Sequence, residues 1–257
     1  MKILALALAL LLAPASVQAT ITVAETTSGN ATTAQSFTTA SVSPEAGKLL
    51  IFYLAWRSTG CFPVLGGSGT ITGLNVTWTL IQNLSVGGGV SNHYMWRAVS
   101  DGSTGSISGT GNGTNCTTMV WSLMELGGVN QTTNQGVVTS ATNNNTSCNN
   151  CTLVLGWAAY TDARNTQITS CVVGDLGAGS SATFTMDTSG GWAASTPQSA
   201  GSGVNYRQIV TEWLIVKGSD TQADCGWSSM SGVGTATLIT AEIAFQEAGV
   251  KHKVNFQ

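Results

Sequence analysis

The chain has 257 residues, 42% of them hydrophobic and only 8% charged, with a formal net charge of −3. A soluble domain ordinarily carries about 25% charged residues; here Thr, Ser, Asn and 31 Gly take their place. Nine basic side chains form no patch able to displace counterions from a phosphate backbone, which argues against nucleic acid as a partner. The apolar fraction, with eight Trp, argues against a disordered chain.

The first element is a leader. Met1 and Lys2 precede an uninterrupted apolar run from Ile3 to Leu12, and Val17 and Ala19 stand at the −3 and −1 positions of a cleavage site before Thr20. A basic start, a short apolar core and small residues before the cut form a secretory signal. The run is too short to span a bilayer, which takes about 20 residues. With residues 1–19 removed, eight basic side chains face twelve acidic ones, a formal charge of −4. No later segment is long and apolar enough for a membrane helix, so no transmembrane segment is expected in the mature chain. The expected location is secreted or on an extracellular surface, with the periplasm as the alternative.

Runs of strand length then recur between Gly, Ser, Asn and Asp clusters. Strands are predicted near 20–25, 35–42, 48–57, 77–82, 92–99, 104–109, 117–126, 151–160, 182–187, 205–217 and 235–246. The runs Leu49 to Trp56 and Met119 to Met124 are continuously apolar or nearly so, as suits strands covered on both faces. In the last strand Thr237, Ile239, Ala241, Ile243 and Phe245 share a face, the alternation of a half-buried strand. No helix is predicted.

The chain also repeats itself. Leu50–Trp56 resembles Leu153–Ala159, Tyr94–Val99 resembles Glu212–Val216, and Val120–Leu126 resembles Leu238–Ile243. The cysteines keep step, with Cys61 and Cys116 separated by 55 positions and Cys171 and Cys225 by 54. The expected fold is therefore all-β, a jelly-roll-like antiparallel β-sandwich built from two pseudo-repeated halves. A single domain over 20–247 is divided into halves at about 20–130 and 131–247, with a tail over 248–257. Two separate sandwiches are the alternative architecture. Six cysteines in an exported chain read as three disulfides. Matched spacing assigns Cys61–Cys116 and Cys171–Cys225, leaving Cys148–Cys151 as a local bridge in an Asn-rich loop over 143–150.

The segments AGKLLIFYLAW, GLNVTWTLI, NHYMWRAVSDGSTGSIS and MVWSLMELGGV, ending in Glu125 to Val129, resemble uncharacterised β-sandwich proteins of bacterial surfaces and phage particles. The resemblance covers most of the mature chain. It implies a jelly-roll-like surface or structural protein and assigns no active site to any residue.

Three carboxylates within predicted strands, Glu125, Glu212 and Glu242, are the candidates for a glycosidase pair, which must face each other across a sugar about 5–9.5 Å apart. Equivalent places for Glu125 and Glu242 in the repeat favour a structural use instead. Trp192 and Trp227 lie in loop-like sequence and are the candidates for sugar stacking, against a competing role in loop packing. Cys148-Asn-Asn-Cys151 has redox spacing but lacks the strand–helix context of a reactive thiolate. His93 and His252 are isolated, so neither a metal site nor a cofactor is expected. Nine N-x-S/T sequons, at Asn30, Asn75, Asn83, Asn112, Asn115, Asn130, Asn144, Asn145 and Asn150, matter only in a host able to glycosylate them. The reading that results is an exported, non-catalytic surface or particle-structural protein acting by assembly or adhesion, with itself or a glycan as partner. A carbohydrate-binding module is the first alternative and a secreted glycoside hydrolase the second.

Overall fold

A computed structural model describes residues 21–31, 36–58, 71–87, 91–110, 116–131, 136–156, 162, 164–177, 179, 181–186, 191–215 and 222–246. The expected leader, the tail, Cys61 and Trp157 fall outside these residues. The described chain forms antiparallel strands throughout, with no α-helix. Eight strands belong to the first half: β1 (Thr22–Ala31), β2 (Ser36–Thr38), β3 (Leu49–Ser58), β4 (Ile71–Gly73), β5 (Thr79–Val86), β6 (Ser91–Val99), β7 (Ile107–Thr110) and β8 (Cys116–Gly127). The second half supplies β9 (Val137–Cys148), β10 (Thr152–Gly156), β11 (Thr166–Gly174), β12 (Thr183–Thr185), β13 (Ala193–Ala194), β14 (Gln198–Ala200), β15 (Arg207–Leu214), β16 (Gln222–Ser228) and β17 (Gly234–Ile243).

Each half winds the same way. The first makes a large sheet in the order β1-β8-β3-β6-β5 and a small one, β2-β7-β4. The second makes β9-β17-β11-β15-β13, with β14 also on β15, and a small sheet β10-β16-β12. In both, the third strand is the centre of the large sheet, flanked by the last strand on one side, while the second, penultimate and fourth strands form the small sheet. β13 and β14 together occupy the place of β5. This alternation between two sheets is the jelly-roll pattern, and it occurs twice.

The expected sandwich built from both halves is present between the two large sheets. β15 rests on β3 and β8, β17 on β5 and β6, and β9 on β5. Each large sheet also carries its own half's small sheet on the outer face, so the molecule has four layers and three cores. The central core joins Leu49, Ile51, Tyr53, Ala55 and Met124 to Ile168, Val172, Ile209, Ile239 and Ile243. Leu50, Phe52, Leu54, Trp56, Trp96 and Trp121 fill the first half's own core. Cys171, Val173, Trp192, Tyr206, Cys225 and Trp227 belong to the second's. Successive residues of β3 thus alternate between two apolar cores, the arrangement its continuous apolar run requires.

Several expectations need correction. β17 is buried along its whole length, not half-buried, because the small sheet of its half and the partner half cover both faces. Residues 137–148 are a strand rather than a loop, and only Asn149 and Asn150 turn the chain. β11 and β16 also went unanticipated; their Thr, Gln, Ser and Asp residues hide the apolar signal. The match of Leu50–Trp56 to Leu153–Ala159 fails, since Thr152–Gly156 is an outer strand and β11 is the counterpart of β3. The other two repeat matches join counterpart strands. Even there, aligning Trp96 with Trp213 is one residue out of register. Trp96 points into its own half's core and Trp213 packs against the central one, because a single-residue slip exchanges the faces of a strand.

Candidate functional site

The most polar part of the interior lies on the outer face of the second large sheet. Gln167 and Thr169 of β11 stand between Glu242 of β17 and Glu212 of β15. Glu212 and Glu242 are 0% and 5% exposed. Asn165 donates to Glu242 Oε1 over 2.6 Å and accepts from the Phe245 amide. Gln167 donates to the Thr240 hydroxyl, which also lies 2.8 Å from Thr169 Oγ1, and Thr166 Oγ1 donates to the Leu214 carbonyl. A buried network of this kind is tolerable because its members satisfy one another.

The three candidate carboxylates do not share a cleft. Glu125 lies on the outer face of the first large sheet beside Leu50, and the outer faces of the two large sheets point away from each other. Glu212 and Glu242 share a face, but they flank β11 and are offset by two residues along it, so their backbones stand farther apart than the about 9.6 Å of two strand spacings, with Gln167 and Thr169 between them. Their burial leaves no room for a sugar ring between them.

Trp192 and Trp227 are 5% and 3% exposed and belong to the second half's core. The Trp227 ring meets Phe184 edge-on at 6.0 Å. Neither offers a ring face to solvent, and packing is the role their burial fits. Trp56 and Trp96 are fully buried, as expected of strand tryptophans.

Two bridges join described cysteines. Cys148–Cys151 closes the turn between β9 and β10, and Cys171–Cys225 ties the large sheet to the small one within the second half. Both pairings are those anticipated, but the equivalence behind them does not hold. Cys225 lies in β16, the counterpart of β7, whereas Cys116 opens β8 opposite Ser58. The pairing of Cys116 with Cys61 lies outside the described residues. Cys171, Cys225 and Glu212 bring potential ligand atoms within 4.8 Å of one another, but the disulfide engages both sulfurs, and a metal needs them as thiolates.

Polar groups also cross between the halves. His93 of β6 is enclosed by Ser170 Oγ at 2.9 Å from Nε2 and Thr237 Oγ1 at 3.2 Å from Nδ1. Its ring centroid is 6.3 Å from that of Tyr53. Burial pushes the His93 imidazole down to about 3 and the Tyr53 phenol well above its usual range. At the end of β3, Arg57 and Arg207 both reach Asp175 Oδ1 over 3.1 Å, and Arg57 also donates to Asn205 Oδ1. Burial pushes the Arg207 guanidinium down to about 10, against the opposing pull of Asp175. This triad clasps the halves together, a role its sequence positions gave no means of foreseeing. No protein-family model, curated protein or solved structure matches the chain. Among the described residues no helix is long and apolar enough to cross a membrane.

Proposed function

We propose that this is an exported, non-catalytic surface or particle-structural protein that acts by assembly or adhesion. The observation that carries the reading is the chemistry of the sheet edges. Among the described residues β1, β5, β9, β13 and β14 lie at the margins of the large sheets, and their sequences contain one ionisable side chain, Glu25. Charged residues are a usual block to edge-to-edge pairing between molecules, and these margins carry a single one. A disulfide-bridged, four-layer body with neutral Thr- and Asn-rich edges suits a building block or a displayed adhesin. The burial of Glu212 and Glu242, and the separation of Glu125 from both, support a non-catalytic role.

Light scattering and negative-stain electron microscopy of the purified mature protein test the assembly reading. The expected result is a concentration-dependent oligomer or filament that Asn83→Lys with Ser85→Lys, two exposed positions on β5, disperses without loss of fold. A monomer at every concentration, combined with no binding on a glycan array, would remove both forms of the reading. Turnover on a polysaccharide panel that disappears in Glu125→Gln or Glu212→Gln would establish the glycosidase alternative instead.

A further inference from the structure

One side chain of the seam between the halves has no countercharge. Arg97 of β6 faces the same way as Met95, toward the second half. Its Nε is buried and makes no hydrogen bond, and no ion pair among the described residues includes it. Burial lowers the guanidinium's pKa, and no carboxylate opposes that shift. The side chain as a whole is half-buried, so the cost falls on the one enclosed Nε–H, which has lost water without gaining a partner.

Arg97 borders a shallow depression at the seam. Ile81, Arg97, Val137, Val138, Thr139 and Ser140 line a notch of about 260 Å³ open to solvent. A β-bulge flanks it from each half. The register of β5 shifts between Leu80 and Gln82, making Ile81 the extra residue. That of β9 shifts between Thr139 and Val137, making Val138 the extra residue. Bulges are enriched at sheet edges and beside functional sites, where they re-aim side chains. Here two of them, on different halves, border one concavity holding an unpaired cation.

We propose that this notch binds a carboxylate-bearing sugar, with Arg97 pairing the carboxylate. The volume falls below the range of about 300–1,000 Å³ for drug-sized ligands, so a single ring is the appropriate scale. Ile81, Val137 and Val138 give the ring an apolar wall, and Ser140 gives a hydroxyl for its polar edge. Guanidinium–carboxylate pairing is directional and strong for a hydrogen bond. The site requires both halves but no second copy of the chain, so it does not rest on the assembly reading.

Titration calorimetry of the mature protein with glucuronic acid, glucose and sodium sulfate tests the assignment. Glucuronic acid is expected to bind saturably, while glucose and sulfate bind at least tenfold more weakly. Arg97→Gln is expected to weaken glucuronic acid at least tenfold while leaving the melting temperature unchanged, since no ion pair among the described residues includes Arg97 and its Nε makes no hydrogen bond. Ser140→Phe, which fills the notch and keeps the cation, is expected to abolish binding. Equal affinity for sulfate would reduce the site to a simple oxyanion site and overturn the sugar assignment. No binding of glucuronic acid, equal binding of glucose, or unaltered binding by Arg97→Gln would overturn the site itself.

Discussion

The two halves wind their strands in the same order, and both have an apolar core, but among the described residues only the second sets a buried polar network beside it. Glu125 pairs with Leu50 and Glu242 with Gln167, which sets Leu50 against Gln167, Phe52 against Thr169 and Leu54 against Cys171 as counterparts. By the same register Trp96 corresponds to Glu212 and Leu123 to Thr240. Where the first half stacks Phe52 against Phe37 and Trp121, the second places a hydrogen-bonded network and a buried disulfide at the counterpart positions, beside an apolar cluster that holds Trp192 and Trp227. The topology is therefore indifferent to which kind of cohesion fills it, provided that the polar version leaves few groups unsatisfied.

The largest way to break this comparison is to take the covalent tie from the polar half. Replacing Cys171 and Cys225 together by Ser removes a bridge whose ends are 54 positions apart, worth about 4 kcal/mol in the chain-entropy view. Urea melts should show that loss, and a smaller one for the Cys148 and Cys151 pair, which restrains only a short loop. Equal effects would mean that the polar core does not depend on the long bridge.

Exchanging chemistry between counterparts sharpens the comparison. Leu123→Thr should cost about 3 kcal/mol, since it opens space in an apolar core and buries a hydroxyl there. Thr240→Val should cost about 2 kcal/mol despite being more hydrophobic, because Gln167 and Thr169 lose a partner. A stabilising Thr240→Val would show the network to be incidental.

Acid tests the seam that joins the halves. His93 is held neutral, with its folded value far below the ordinary 6.5. Protons therefore bind the unfolded chain first, and stability present above pH 6.5 falls as the pH drops toward 3. Relative to pH 8 the loss at pH 5 should be about 2 kcal/mol. It should appear as a falling denaturation midpoint and flatten in His93→Gln. Ser170, Thr237 and Tyr53, the groups described around the ring, carry no charge in this range. An unchanged slope in the variant would assign the acid sensitivity elsewhere.

Legibility in the sequence followed the chemistry of each half. β3 and β8 stand out because Leu49 to Trp56 and Met119 to Met124 are apolar on both faces or nearly so. β11 holds the same central position, yet Thr166, Gln167, Thr169 and Ser170 are buried by hydrogen bonding rather than by apolarity, so no hydrophobic period marks it. Glu212 and Glu242 were singled out as strand carboxylates, but their enclosure depends on partners 41 or more positions away, at Cys171 and Asn165. Nothing in the sequence singles out Arg97, because its surroundings are set by β9, some 40 positions further along the chain.

What the sequence determined by itself was local: strand-length apolar runs, turn clusters, a doubled pattern and an even cysteine count specify an all-β chain in two related halves. Those signals arise within a few residues, where side-chain alternation and turn chemistry act. Only the tertiary structure decided that the halves pack large sheet to large sheet. That packing buries His93, clasps Asp175 between Arg57 and Arg207, and leaves Arg97 at the rim of a notch bounded by two bulges. These outcomes depend on which face meets which across the seam, and a one-residue change of register, invisible to a strand-by-strand reading, reverses it.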